Sequence, residues 1–191
     1  MHAIKFKSSL KGLHSFLGTS STKCKSRAFS SPYSTNFSGK LEGTLSSQGP
    51  IEGAYASCEH IFTQEAVNCF AALCGDNNPL HVNPEYASKT LFNGTIVHGI
   101  LVSSLFSTLL GRSLHGAIYV NQNLKFRAPV HVGSLVRAKI TVLKNETKKK
   151  GYLLTCNTEV QVSANESVIR AVDGEAVCLL PYAAASKYIK L

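Results

Sequence analysis

Residues 96–110 read Ile-Val-His-Gly-Ile-Leu-Val-Ser-Ser-Leu-Phe-Ser-Thr-Leu-Leu. The stretch is the most apolar in the chain, yet His98, Gly99, Ser103, Ser104, Ser107 and Thr108 interrupt it. A membrane-spanning helix needs about 18 or more apolar residues, so the segment reads as a helix buried in a protein core, with Gly111 placed to end it. Downstream the pattern changes. Segments 118–126, 135–143, 153–162 and 168–180 are rich in Val, Ile, Leu and Thr and read as strands. Gly133, Gly151 and Ser163-Ala164-Asn165 mark the connections between them, and 144–151 reads as a charged hairpin tip. Strands joined by such short turns run antiparallel.

Upstream, a strand is expected over about 54–62. Thr63 is placed to cap a helix reaching about Leu73, whose apolar side is Ala66, Val67, Phe70, Ala71 and Leu73. A loop with Gly75, Asn77, Asn78 and Pro79 follows. Asn83-Pro84 then opens a short helix, and Asn93-Gly94 makes a turn. The expected architecture is α+β: an antiparallel sheet against one long buried helix.

The 191 residues carry 20 Lys and Arg against 11 Asp and Glu, a net charge of +9. That figure suggests an acidic macromolecular partner, but its distribution does not. Lys5, Lys7, Lys11, Lys23, Lys25, Arg27 and Lys40 all precede the first acidic residue, Glu42. The remainder has thirteen basic against eleven acidic residues and is nearly neutral. Its strands lack the aromatic-rich basic motifs of an RNA-binding sheet, and Lys148-Lys149-Lys150 reads as a solvated loop. No nucleic-acid partner and no membrane span are expected. A basic, Ser-rich, acid-free leader has the composition of an organelle transit peptide. Arg27-Ala28-Phe29-Ser30 resembles a mitochondrial processing site cut before Ser30. The expected division is a transit peptide and linker over 1–50, one domain over 51–183 and a short tail over 184–191. The mitochondrial matrix is the expected location, with plastid as the alternative.

Six cysteines (Cys24, Cys58, Cys69, Cys74, Cys156, Cys178) form no C-x-x-C pair, so zinc-ribbon and dithiol-redox readings lose their spacing support. Reduced thiols, mostly buried as small hydrophobes, are expected.

The segment Gly75-Asp76-Asn77-Asn78-Pro79-Leu80-His81 sets a carboxylate and an imidazole five residues apart in a loop stiffened by Asn-Pro. A loop can make them converge, and such a pair can exchange protons with water and a substrate atom. The competing expectations are an Asx turn at Asp76 and a structural hydrogen bond at His81. Next, Gly94-Thr95-Ile96-Val97-His98-Gly99 leads into the apolar helix. The unpaired N–H groups of a first helical turn can polarise a carbonyl, and Gly99 admits close approach. Alternatively Gly99 only permits tight packing. Third comes Gln122-Asn123-Leu124-Lys125-Phe126-Arg127-Ala128-Pro129-Val130-His131-Val132-Gly133, an alternating strand that ends at Pro129.

These three motifs, in this order and spacing, resemble the (R)-specific enoyl-thioester hydratase and 3-hydroxyacyl-thioester dehydratase family of MaoC-like hot-dog proteins. The resemblance spans about Phe62 to Leu180 and, with the leader, is nearest the family's mitochondrial branch of type II fatty-acid synthesis. It implies a hot-dog fold, a homodimer, Asp76 and His81 as the catalytic pair, and a Gly99 N–H on the thioester carbonyl. It also implies supporting roles for Asn78 and the helix hydroxyl Ser107, and His98, next to Gly99, is counted with them among the oxyanion and substrate-binding residues. The implied reaction uses no metal and no cofactor, and its substrate is carried on acyl carrier protein or coenzyme A. Lys125, Arg127 and Arg112 are the basic residues available for an acidic carrier or for phosphates, the competing expectation being a solvated strand face. The competing activities are a hot-dog thioesterase and a non-catalytic acyl-chain-binding subunit.

Overall fold

The computed structural model describes residues 45–46, 49–50, 52–164 and 167–185. The basic leader, with Cys24 and the expected cut before Ser30, lies outside these residues. Two short strands, β1 (Leu45–Ser46) and β2 (Gly49–Pro50), pair with each other. The Pro50 carbonyl accepts a hydrogen bond of 2.9 Å from Asn145 Nδ2. Structure therefore begins before residue 51.

Five long strands form one antiparallel sheet: β3 (Tyr55–Ile61), β4 (Ile118–Phe126), β5 (Leu135–Lys148), β6 (Gly151–Ala164) and β7 (Ser167–Pro181). Their order is β3-β5-β6-β7-β4. The last three in sequence form a meander, and the first two are added at its margins. Four of the strands match the sequence expectation closely. The 144–151 segment does not form a wide tip. After a bulge between Val142 and Lys144, pairing continues through Lys144↔Thr155 to Lys148↔Gly151, and only Lys149 and Lys150 turn. Charges there do not oppose strand formation, because side chains beyond the core reach water: Glu146 bridges Lys144 and Lys148. Those two ammonium groups hold the Glu146 carboxyl down at about 2.

Alternation along β5 explains the layer structure. Val136, Ala138, Ile140 and Val142 are buried, while their neighbours point outward. Leu154, Cys156, Thr158 and Val160 of β6 and Ala176, Cys178 and Leu180 of β7 complete the buried face. Against it lies the long helix α4 (Gly99–Ser113), which buries Val102, Leu105, Phe106, Leu109 and Leu110. This is the hot-dog arrangement, with the helix as the filling. Gly111 does not end the helix. Ala and Gly differ by only about 1 kcal/mol inside a helix, and packing carries α4 past Gly111 to the cap at Leu114. Gly116, at φ 85°, then turns the chain.

The remaining helices, α1 (Gln64–Cys74), α2 (Pro79–Val82) and α3 (Pro84–Ser88), fill the connection between β3 and α4. A last turn, α5 (Tyr182–Ala185), follows β7. Among the described cysteines, Cys58, Cys156 and Cys178 are buried free thiols, whereas Cys69 and Cys74 on α1 are exposed. Burial pushes the Cys58 thiol up to about 11. The hydrogen bond to Cys178, and then burial, hold Cys156 well above the ordinary thiol range.

Candidate functional site

α1 begins at Thr63, whose Oγ1 accepts from the Ala66 N–H at 3.3 Å. It ends at Gly75, which takes the left-handed conformation at φ 81° and returns its N–H to the Ala71 carbonyl at 2.8 Å. The chain leaves the helix directly into Asp76. One carboxylate oxygen, Oδ1, accepts from the Asn78 N–H at 3.3 Å, so the expected Asx turn is present. The other, Oδ2, lies 3.9 Å from His98 Nε2, and the Asp76 side chain is about half exposed.

His81 sits in helix α2 rather than in an irregular loop. Asn78 caps that helix, its Oδ1 accepting from the Leu80 N–H at 3.1 Å, and Pro79 takes the first position. Asn78-Pro79 thus repeats the Asn83-Pro84 signature, and read the same way it places His81 on a helix. The His81 ring nitrogen Nδ1 lies 2.7 Å from the Ile96 carbonyl. A carbonyl only accepts, so Nδ1 carries the proton and the neutral ring keeps a lone pair on Nε2.

Segment 95–97 is held on both sides. The Ile96 N–H donates to the Leu80 carbonyl at 3.1 Å and the Val97 N–H to the Val130 carbonyl at 2.8 Å, while Thr95 accepts from the Val132 N–H at 3.1 Å. The three sequence motifs are therefore joined by backbone hydrogen bonds: the third braces the second, and the second orients His81 of the first. Gln64 joins them a further time. Its Nε2 donates to the His81 carbonyl at 2.7 Å, and its Oε1 accepts from the Thr95 hydroxyl at 2.7 Å. Neither Gln64 nor Thr95 is singled out by sequence. Gln at the first turn of an amphipathic helix carries no signal beyond helix propensity.

Gly99 opens α4. His98 precedes it and makes no side-chain capping bond, so no side chain of that residue occupies the first-turn N–H groups. A Cβ on Gly99 would lie 2.6 Å from Cε1 of Phe126, so the ring packs directly against the glycine. Close approach and tight packing are both realised here. Gly99, Phe126 and His81 line a cleft of about 380 Å³ with Arg127, Val130 and Val172. His98 does not line it: it is 2% exposed and packs behind His81. Ser107 lies on an exposed stripe of α4, and among the described residues no hydrogen bond ties it to Asp76 or His81. Arg127 borders both the cleft and a second groove of about 270 Å³ with Lys125, Arg170 and Asp173. Its guanidinium contacts Asp173 at 3.1 Å.

Asp76, His81 and His98 each offer a ligand atom within 4.8 Å of the others. Their geometry does not suit a metal. The two imidazoles are stacked, centroids 3.8 Å apart and planes 31° from parallel. Their lone pairs lie in those planes, so one ion at about 2.0–2.1 Å from each cannot sit in both.

The family profile of the MaoC like domain matches residues 47–164. The mitochondrial 3-hydroxyacyl-[acyl-carrier-protein] dehydratase of Arabidopsis thaliana is 36% identical over 121 residues, 63% of this chain and 72% of that one. The (R)-specific enoyl-CoA hydratase of Aeromonas caviae is 42% identical over 139 residues, 72% of this chain and all of that one. A solved (R)-hydratase structure from A. caviae superimposes with a TM-score of 0.63 at 41% identity, covering 69% of this chain and 97% of that one. The R-hydratase of Pseudomonas aeruginosa, solved in its unliganded form, gives 0.62 at 29% identity over 78% of this chain and 89% of that one. The profile spans more than half of the chain, and the chain belongs to the MaoC-like family.

Proposed function

We propose that this protein interconverts (3R)-3-hydroxyacyl thioesters and trans-2-enoyl thioesters as a hydro-lyase. The observation that carries the reading is that Asp76 comes within 4.8 Å of His81, which itself lines an apolar cleft with Gly99 at the first turn of α4. In the hydration direction, His81 Nε2 takes a proton from a water held between it and Asp76. The oxygen of that water bonds to C3, and the electron pair of the double bond moves toward the thioester carbonyl. The Gly99 N–H stabilises the resulting enolate-like oxygen, and a proton then reaches C2 from the same pair. Water is consumed whole and no electrons are exchanged. The (R) outcome follows the names of the relatives from Aeromonas caviae and Rhodospirillum rubrum.

Asn78 supports the site by capping the helix that carries His81. Ser107 is assigned a supporting role only by the family resemblance.

The carrier we infer is acyl carrier protein. The support is the Arabidopsis and tomato relatives, both mitochondrial dehydratases of acyl-carrier-protein substrates by name. Arg127 at the cleft margin and Lys125 in the adjoining groove suit an acidic carrier. The same relatives and the basic leader support a mitochondrial address with maturation before Ser30. A homodimer is supported by the margin strand β4, where Ile118, Val120 and Phe126 are more than half exposed.

The test follows enoyl-thioester absorbance with crotonyl-CoA and its acyl-carrier-protein counterpart. Asp76→Asn and His81→Gln should each lower turnover about 10²–10⁴-fold with native circular dichroism. Near-normal hydration by either variant, or release of free thiol by the parent chain, overturns the assignment.

A further inference from the structure

His98 has no place in the reaction just described, yet it touches both members of the pair. Its Nε2 lies 3.0 Å from the backbone carbonyl of Asp76. That carbonyl can only accept, so Nε2–H donates to it. The same ring lies against His81 with centroids 3.8 Å apart. Behind it, Phe70 makes an edge contact at 5.1 Å and 61°. The ring is 2% exposed, so its orientation is fixed by packing.

His81 and Asp76 each lack one restraint that His98 supplies. The bond from His81 Nδ1 to Ile96 fixes the tautomer, but the ring can still tilt about that bond. A second ring stacked on its face removes the tilt. Asp76 follows a left-handed glycine, and its carboxylate accepts from the Asn78 N–H at 3.3 Å while its other oxygen stands 3.9 Å from His98 Nε2. The bond from His98 pins its backbone and so sets where the carboxylate stands. One imidazole thus holds the two reacting groups in fixed relation to each other, one from the loop after α1 and one from α2.

We propose that His98 is the positioning residue of the hydratase pair, registering Asp76 through its Nε2–H and His81 through its ring face. This rests on the hydro-lyase reading above. The two functions are separable by substitution. His98→Phe keeps a ring against His81 and removes the donor. His98→Gln keeps a donor at similar reach and removes the ring.

The test measures kcat and KM for crotonyl-CoA hydration well below each variant's melting temperature. Both variants should lose about 10–100-fold in kcat, the scale on which a misplaced reacting group acts, while KM changes less than about 3-fold. A residue that merely fills space would be replaced by Phe with kcat unchanged. Phe70→Leu, which loosens the backing of His98 on a half-buried helix face, should lower kcat about 3–10-fold and serves if a His98 variant does not fold. A parent chain active on the thioester with all folded variants within about 2-fold of its kcat overturns the positioning role alone. A parent chain without hydratase activity overturns the reaction and this role together.

Discussion

Gly99 carries two demands at one atom position, and substitution separates them. An alanine Cβ would meet the Phe126 ring at 2.6 Å. Phe126 is 54% exposed, so the ring can swing out at little cost, and alanine improves helix propensity by about 1 kcal/mol. Gly99→Ala should therefore melt within a few degrees of the parent chain. Its kcat/KM should fall about 10-fold or more, since the displaced ring lines the cleft. Phe126→Leu in the same chain should recover part of that loss. His60 offers a separate check in the titration of the fold. Burial lowers its pKa below 6.5, so the unfolded chain takes up a proton at higher pH than the folded one. Stability is complete above about 6.5 and declines as pH falls toward the lowered folded value. The drop in melting temperature between pH 7.5 and pH 5.5 should be smaller in His60→Gln. Asp76, His81 and Gly99 were visible in sequence because their residue types and spacing are uncommon. Gln64, Thr95 and the burial of His98 were not, because side chains that meet across 31 residues and hold a backbone carbonyl leave no characteristic local pattern.

Among the elements, α2 is the most exposed to a single change. It has four residues, buries none of them and is capped by Asn78. A helix so short has no packing to replace a lost cap. Asn78→Ala should lower kcat several-fold through His81 with a small change in melting temperature. Asn83→Ala, at the start of the neighbouring α3, should leave kcat near the parent value. By contrast α4 is held by packing: Phe106 is 0% exposed at its centre, and Phe106→Ala should cost about 3–5 kcal/mol in denaturant unfolding. The strands and α1 were legible because turn residues and a Thr cap bound them. The end of α4 was misjudged at Gly111, since local propensity is weak beside burial. The length of β5 was misjudged at Lys144–Lys148, where strand pairing continues beyond the core into water.

For the whole molecule, the proposed dimer rests on β4. Its burial pattern is almost wholly exposed although it is apolar at both ends. Val120, the residue passed over at its bulge, is 58% exposed. Val120→Lys should convert a dimer to a monomer in sedimentation velocity. Activity should fall with it, because Phe126 and Arg127 at the end of this strand line the cleft.

The strand order has a kinetic corollary. β5, β6 and β7 are neighbours in both sequence and space, so their pairing closes only short loops. β3 reaches β5 across a long separation, with Arg137 Nε bonding Glu59 78 residues earlier. Loop closure of that length is late in folding. The meander is therefore expected to form the transition-state nucleus, with Val160→Ala giving a high φ-value and Ala56→Gly a low one. Everything between β3 and α4, including Asp76 and His81, then docks onto a sheet already formed. The nascent protein would acquire its chemistry only in the final step of its folding.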